Sequence, residues 1–270
     1  MAKGSRKLKE LLTAGKLDVV VEVRDARAPA STSSPLVEAI AKIRPVIHVL
    51  SRKDLADDVK LQEWLSTLKH TYAADLRKRD GLPNIRREIL RFKPQHREAR
   101  LAVIGIPNVG KSLLLNSLIG KSGAAVGNIP GITKSVSWYK NDGMLIVDSP
   151  GILDSHAEPG AHMILSWIGC SKAEVVGGWE NAALSLIKYL DAKGMSSLIP
   201  VEHDEIASST LELIGRKYGC LISGGRVNME LAGQKLIEAF SSGRLGKVCL
   251  ELPGGERAID FHDGEAADLV

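Results

Sequence analysis

The chain has 270 residues, of which 44% are hydrophobic and 25% charged, so it can bury a full core as one large or two modest domains. Its net charge of +4 permits a nucleic-acid partner without requiring one, and its three widely spaced cysteines argue against a disulfide framework or a zinc site. No apolar run reaches the roughly 18 residues of a membrane span, and no export signal is recognised, so we expect a cytoplasmic monomer without membrane contact.

The first segments of the chain alternate between apolar runs and amphipathic stretches, which is typical of an α/β sheet. The predicted strands are Leu17 to Val23 and Pro45 to Leu50, and the predicted helices are Arg6 to Ala14, Leu36 to Ile43 and Val59 to Lys69. The charged turn at residues 24–29 follows the first strand, where such sheets bind ligands, but an ion-paired turn explains it equally well. His48 lies within the second strand, and we expect a packed core histidine rather than a ligand.

The second strand ends at Ser51-Arg52-Lys53-Asp54, which resembles the Asn-Lys-x-Asp sequence that reads guanine in GTPases. A carboxylate at Asp54 can accept from both N1–H and the exocyclic amine of guanine, and it offers nothing equivalent to adenine. Ser51 and Arg52 replace the asparagine and the lysine, so the motif is degenerate, and a helix cap at Asp54 is an equally good interpretation. Ala74 and Asp75, at the end of the next predicted strand, are expected to place a backbone N–H against the guanine carbonyl.

A basic segment follows, with nine lysines and arginines between Arg77 and Arg100 and only three acids. It suits a phosphate backbone, because each contact with a phosphate strengthens binding in a salt-dependent way. A solvated helix face with a charged linker explains the same pattern equally well.

The apolar run Leu101 to Ile104 precedes Gly105-Ile106-Pro107-Asn108-Val109-Gly110-Lys111-Ser112, which then opens a helix. Strand, glycine-rich loop and helix form a P-loop, in which backbone N–H groups and a helix N-terminus converge on phosphate. We expect Lys111 to reach the β- and γ-phosphates and Ser112 to bind Mg²⁺. The predicted nucleotide contacts of this loop are Asn108, Val109, Gly110, Lys111, Ser112 and Leu113.

Two further motifs complete a switch. Ala124 to Ile129 lead to Thr133, which stands where GTPases place the threonine that completes Mg²⁺ coordination when the γ-phosphate is present. A predicted hairpin, Ser135 to Tyr139 and Met144 to Val147, ends at Asp148, a metal ligand through water. Gly151 is expected to sense the γ-phosphate through its N–H, so Lys111, Thr133 and Gly151 are the predicted catalytic positions.

The order of the motifs is reversed, because the guanine motif at Asp54 precedes the phosphate motifs. A parallel sheet tolerates this when the original termini lie close enough to be joined, here through Arg91 to Arg100. We therefore predict an α/β, circularly permuted Ras-like GTPase domain with a mostly parallel sheet over residues 1–158, an all-helical domain over 159–255 and a flexible acidic tail over 256–270.

The second half carries apolar stripes at helical spacing and no recognisable second active site, which favours a binding module. The predicted helices are Ala161 to Ile168, Glu180 to Leu190, Ile206 to Tyr218 and Met229 to Phe240. Five cations near its turns are either an RNA contact or ordinary surface charge: Arg216, Lys217, Arg226, Arg244 and Lys247.

Together these segments, with Val23 to Arg27 and Tyr218 to Gly225, resemble the ribosome biogenesis GTPase A family of circularly permuted GTPases over nearly the whole chain. The resemblance implies a permuted Ras-like domain, a helical C-terminal domain that contacts ribosomal RNA, and a role with GTP/GDP in late assembly of the large ribosomal subunit. It also implies hydrolysis stimulated by the ribosomal particle and a K⁺ ion held by Asn108 beside the phosphates.

Two departures concern catalysis. Ile152 occupies the place of the water-orienting glutamine of Ras-like enzymes, and the family relies instead on a histidine near its N-terminus that this sequence lacks. Either the true start lies upstream of Met1 or the group is lost; we expect slow hydrolysis alone, with His156 or His162 as a weak substitute. The alternatives are a hydrolysis-deficient, nucleotide-responsive RNA-binding module, and an ATPase or nucleotide kinase in which Asp54 is only a cap.

Overall fold

The chain divides into two compact units, residues 1–157 and 158–270. The computed structural model describes residues 10–120, 123–126, 137–148, 161–202 and 206–254. Among these residues, no helix has the length and the apolar character that crossing a bilayer requires. The predicted acidic tail lies outside the described residues, as do residues 6–9 of the predicted helix that begins at Arg6, whereas residues 10–13 of that helix are helical as expected.

The first unit is built on one mostly parallel sheet. Its strands are β1 (Val19–Asp25), β2 (Val46–Ser51), β3 (Thr71–Ala74), β4 (Ala99–Ile104), β5 (Ala124–Val126), β6 (Ser137–Asn141) and β7 (Met144–Asp148). The strand order in the sheet is β3-β2-β1-β4-β7-β6-β5. Neighbouring strands from β3 to β7 in this order are parallel, whereas β6 is antiparallel to β7 and β5 is antiparallel to β6. The helices are α1 (Val37–Ala41), α2 (Asp58–Thr67), α3 (Leu82–Arg91) and α4 (Lys111–Ile119). The predicted α/β class is therefore confirmed.

Strands β1 and β4 lie in the interior of the sheet, where side chains on both faces of a strand are covered. Every residue of β1 is buried, and β4 is buried at all positions but Arg100. Such continuous runs are typical of parallel strands covered by helices on both sides. The C-terminal ends of β1, β2, β3, β4 and β7 therefore meet at one edge of the sheet, which is where the sequence places its candidate site residues.

Some boundaries differ from the predicted ones. β1 continues to Asp25 because the polar residues at its end are buried and paired, and α1 ends at Ala41, two residues early. The segment from Ala124 contains a strand, β5, that the sequence did not predict; its partner β6 supplies the hydrogen bonds. The predicted hairpin is confirmed: β6 and β7 are antiparallel, and Asp142 and Gly143 both have the positive φ of a tight turn, 43° and 76°.

The second unit contains the four predicted helices, each within three residues of its expected bounds: α5 (His162–Trp167), α6 (Trp179–Ala192), α7 (Ala207–Lys217) and α8 (Met229–Ser241). Trp167 is fully buried, and its indole N–H donates to the Ala182 carbonyl at 2.9 Å. The carboxylate of Glu230 accepts from the backbone N–H groups of Trp179 and Glu180, both at 2.8 Å, and so caps α6 from α8. A helical module with its own core results.

Candidate nucleotide-binding site

The P-loop occupies residues 105–110, between β4 and α4. Gly105 has φ of 151°, and a Cβ there would lie 2.6 Å from the Val23 carbonyl oxygen, so the loop passes β1 too closely for any side chain. Ile106 and Val109 are buried and anchor the loop, while Gly110 takes φ of 101° as the N-cap of α4. Sequence and packing thus fix the turn that directs the backbone into the helix.

The N-terminus of α4 has the character of an anion site. Gly110 supplies no side-chain cap, so first-turn N–H groups point outward without a side-chain acceptor from the cap residue. The ammonium group of Lys111 donates to the Ile106 carbonyl at 2.6 Å, which holds the lysine over the loop. Ser112 and Leu113 follow in the exposed first turn. The predicted phosphate contacts therefore lie next to one another, in the P-loop and the first turn of α4.

The guanine motif is joined to the P-loop by a hydrogen bond. The hydroxyl of Ser51 donates to the Val109 carbonyl at 2.6 Å, and Ala74 lies opposite Ser51 in the β2–β3 register. A Cβ at Gly110 would lie 3.7 Å from both Ser51 and Leu76, so the loop after β3 also packs against the P-loop. The two halves of the predicted pocket, far apart in sequence, are neighbours. Sequence reasoning missed Leu76, since a buried leucine in a loop carries no motif.

Arg52 forms a second link between the two halves. Its backbone has φ of 56°, in the left-handed region. One guanidinium nitrogen donates to the Asp25 carboxylate at 2.8 Å and another to the Asn108 carbonyl at 2.8 Å. The side chain therefore ties the end of β2 both to the end of β1 and to the P-loop.

Asp25 is the buried anchor of this link. Its carboxylate accepts two hydrogen bonds from the guanidinium of Arg27, at 2.9 and 2.8 Å, and one from the Arg27 backbone at 3.0 Å. Burial raises the pKa of Asp25, but the charges and hydrogen bonds of Arg27 and the charge of Arg52 outweigh it and hold the pKa below its ordinary value. Within the charged turn, the ion-pair interpretation is confirmed for Asp25 and Arg27.

Asp54 lies in a short 3-10 turn, Lys53–Leu55, and is exposed. Its carboxylate forms no hydrogen bond or ion pair with another described residue. The helix-cap interpretation is wrong, because Asp57 caps α2 by accepting from the Lys60 backbone N–H at 2.9 Å. Asp57 was not among the caps considered from the sequence, and the cap geometry identifies it.

Lys53 and Asp75 are engaged in the loop that follows β3. Asp75 is buried, and its carboxylate accepts from the backbone N–H groups of Arg77 and Lys78, at 3.0 and 3.2 Å. The ammonium group of Lys53 pairs with the Asp80 carboxylate at 2.5 Å. The second guanine-side segment is thereby fastened to the first.

The predicted metal side of the pocket is described only in part. Asp148 ends β7, which pairs in parallel with β4, so its backbone reaches the sheet edge from which the P-loop starts. Thr133 and Gly151 lie outside the described residues, as do Ile152 and His156. His162 belongs to the second unit, where its Nδ1 lies 3.1 Å from the Ser171 hydroxyl.

A buried polar cluster beside β1 was not predicted. Glu22 is fully buried, and its carboxylate is 2.7 Å from each of three partners: Arg24 Nε, His48 Nδ1 and the Ser34 backbone nitrogen. Burial raises the pKa of Glu22, but His48, Arg24 and the Ser34 N–H together hold it below its ordinary value. His48 is packed, as expected. The sequence contained a signal for this cluster, because Glu22 and His48 each interrupt an apolar run and lie opposite each other in the β1–β2 register.

A mostly parallel sheet, a P-loop after a central strand, and a Ser51-to-Asp54 segment tied to that loop define the class of P-loop GTPase domains. A family model described as a 50S ribosome-binding GTPase matches residues 100–198. The ribosome biogenesis GTPase A of Bacillus pumilus is 32% identical over 275 residues, covering 94% of this chain and 96% of that protein. The Bacillus cereus protein of the same name is 29% identical, covering 96% and 95%.

The chain belongs to the ribosome biogenesis GTPase A family. Two solved structures of YlqF from Thermotoga maritima support this assignment, each 27% identical to this chain. The GDP-bound structure has a TM-score of 0.67 and covers 93% of this chain and all of that one, and the GNP-bound structure has a TM-score of 0.65. The predicted family and its fold are confirmed.

Proposed function

We propose that this chain is a GTP-hydrolysing switch that acts in the cytoplasm during late assembly of the large ribosomal subunit. One observation supports the nucleotide part most directly: Ser51 and Arg52 donate to the P-loop carbonyls of Val109 and Asn108, at 2.6 and 2.8 Å. These bonds hold the segment of Asp54 beside the segment of Lys111, as a single pocket for base and phosphates requires. The ribosomal part comes from the family to which the chain belongs.

In this proposal the residues divide between base and phosphate. Asp54 reads guanine, and the backbone at Ala74 and Asp75 faces the guanine carbonyl. The first turn of α4 and Lys111 hold the phosphates, because N–H groups and an ammonium group match phosphate oxygens. The exposed side chains of Asp54 and Ser112 are compatible with these roles.

A Mg²⁺ ion fits the residues at the phosphate end. Ser112 supplies an exposed hydroxyl in the first turn of α4, and Asp148 ends the strand beside β4; oxygen donors of this kind are what Mg²⁺ prefers. When bound, Mg²⁺ neutralises developing charge on the β- and γ-phosphates. Thr133 completes its coordination in this proposal, Gly151 senses the γ-phosphate, and a K⁺ ion beside Asn108 is supported by the family resemblance alone.

We further propose that hydrolysis is slow alone and stimulated by ribosomal particles. Ile152 cannot orient water by hydrogen bonding, so a missing group supplied by the particle would raise the rate by about 10³ to 10⁵. Single-turnover GTP hydrolysis, with and without purified large ribosomal subunits, tests this, with Lys111→Ala as the control for contaminating GTPase. Stimulation that Lys111→Ala abolishes is the expected result.

Ile152 also favours a second candidate function, a hydrolysis-deficient module whose RNA affinity responds to the bound nucleotide. In that case subunits would leave the rate unchanged, while subunit affinity would still differ between GDP and a non-hydrolysable GTP analogue. Equal subunit affinity and equal limited proteolysis with the two nucleotides would contradict both candidates.

A further inference from the structure

The loop from Asp75 to Asp80, which we call the basic loop, is a closed and internally braced turn. Its ends meet, because the Asp80 backbone N–H donates to the Asp75 carbonyl at 3.0 Å. The buried Asp75 carboxylate holds the backbone N–H groups of Arg77 and Lys78, and Arg79 takes φ of 58°. This bracing fixes how the three central residues are presented.

Those three residues are all cations, and all are exposed. Both acids of the loop are already engaged: Asp80 pairs with Lys53 at 2.5 Å, and Asp75 is buried in the bracing, with Lys78 only a distant partner at 3.8 Å. No carboxylate among the described residues pairs with Arg77 or Arg79. Three adjacent like charges repel one another, so the tip of the loop gains most from an anionic partner.

Three other cations of the same segment, by contrast, are paired with carboxylates. Arg86 pairs with Asp142 at 2.7 Å, Arg91 with Glu88 at 3.0 Å, and Arg97 with Asp18 at 2.6 Å. Arg97 also lies where the permuted halves are joined, so its charge serves the fold. Of the broad basic stretch predicted from the sequence, the tip of the basic loop is therefore a part that remains available to a partner.

We propose that Arg77, Lys78 and Arg79 form an RNA-backbone contact of the GTPase domain. The surface offers charge and hydrogen-bond donors but no apolar anchor, since Leu76, the loop's hydrophobic residue, is 4% exposed and packs inward toward the P-loop. Protein interfaces rely on buried aromatic or aliphatic anchors, whereas a phosphate backbone is bound by charge alone. RNA fits this surface better than an acidic protein does.

The position of the loop deepens the proposed function, on which this inference rests. The loop starts where β3 ends, opposite Ser51, and Lys53 of the guanine motif holds its far end. RNA bound at the basic loop would thus lie beside the guanine half of the pocket. The proposal thus adds a contact with ribosomal RNA in the first unit to the RNA contact that the resemblance implies for the second unit.

Binding of the full-length chain to in-vitro-transcribed large-subunit ribosomal RNA, measured over a range of salt concentrations, tests the proposal. The test variant is Arg77→Gln/Arg79→Gln. Lys42→Gln/Lys69→Gln is the matched control: it removes the same charge from two exposed lysines that precede β2 and β3, at the opposite edge of the sheet. GDP affinity, expected to be unchanged in both, confirms folding.

We expect the test variant to bind RNA about 5- to 50-fold more weakly and to lose about 1.4 to 1.8 from the slope of log affinity against log salt. The control should stay within about threefold of the wild type. If the wild type binds RNA and both variants match it, the basic loop is not the contact and the proposed function stands. Loss of affinity for an acidic protein instead of RNA also overturns the proposal. If the wild type binds no RNA, the proposed function itself fails.

Discussion

Replacing Asp25 by asparagine is the sharpest test of how the site is held together. Asparagine keeps the size of the side chain but removes the charge that Arg27 and Arg52 share. Asp25 and Arg27 are both fully buried, whereas the Arg52 side chain is 29% exposed. The variant therefore removes the carboxylate charge from the buried guanidinium of Arg27 and from the part-buried guanidinium of Arg52.

The size of the effect follows from this burial. Removing one partner of a buried ion pair costs about 3 to 5 kcal/mol of unfolding free energy, because the remaining charge stays desolvated. The pair with Arg52 is part-buried and adds less, since solvent reaches the Arg52 side and screens it. We expect Asp25→Asn to destabilise the first unit by about 3 to 5 kcal/mol at neutral pH.

The pH dependence has a definite sign. The folded-state pKa of Asp25 is lowered, so its stabilisation is fully present above the unfolded pKa and is lost as the pH falls toward the folded value. The difference in unfolding free energy between the wild type and Asp25→Asn should therefore be constant near neutral pH and should become smaller below about pH 4.

Hydrogen–deuterium exchange across a urea series can measure this, because it reports on the strands of the first unit separately from the helices of the second. Glu63→Gln, which removes an exposed carboxylate from α2, is the control and should change the unfolding free energy by less than about 0.5 kcal/mol. A loss below about 1 kcal/mol for Asp25→Asn would refute the buried-anchor reasoning.

The remaining predictions concern the base, the second core and the unpredicted cluster. Asp54→Ala should weaken GDP binding at least about 100-fold and admit ATP in competition assays, whereas Asp57→Ala should cost about 1 kcal/mol of stability and leave GDP affinity unchanged. Gly233→Ala should lower the melting temperature of the second unit, since its Cβ would lie 2.4 Å from the Trp179 carbonyl; a higher value would contradict that close approach. Glu22→Gln should lower the unfolding free energy of the first unit by about 2 to 4 kcal/mol at neutral pH, as measured by urea titration. The loss should become smaller below about pH 4.5, because the folded-state pKa of Glu22 is lowered. An unchanged unfolding free energy at neutral pH would contradict the stabilising role of the Glu22 cluster.

The sequence predicted those features whose cause is local. Continuous apolar runs predicted β1 and β4, apolar residues at helical spacing predicted the four helices of the second unit, and the glycine pattern predicted the P-loop. Each of these structures depends mainly on residues that are close together in the sequence. It did not give β5, whose three residues pair only because β6 lies beside them. Nor did it identify Asp57 as the cap of α2, since Asp54 and Asp57 both precede that helix and only the backbone path decides which one caps it.

Long-range polar pairing was harder to predict for the same reason. Asp25 and Arg52 are 27 residues apart, and nothing in either segment states that they meet. Their contact depends on β1 and β2 being parallel neighbours in the register that places Asp25 opposite Ser51. A prediction that combined strand order with charge at strand ends would have reached this pair, because the C-terminal ends of parallel strands share one edge.

The degenerate guanine motif can be understood from the same geometry. An asparagine and a lysine are absent at Ser51 and Arg52, but the contacts between the motif and the P-loop are present. The short Ser51 hydroxyl reaches the Val109 carbonyl, and the planar fork of Arg52 spans two acceptors at once, the Asp25 carboxylate and the Asn108 carbonyl. Lysine, with one ammonium on a flexible stem, fits such a paired geometry less well. The segment that ends at Asp54 is therefore tied to the P-loop through Ser51 and Arg52, with the buried carboxylate of Asp25 on the adjacent strand as the second acceptor for Arg52.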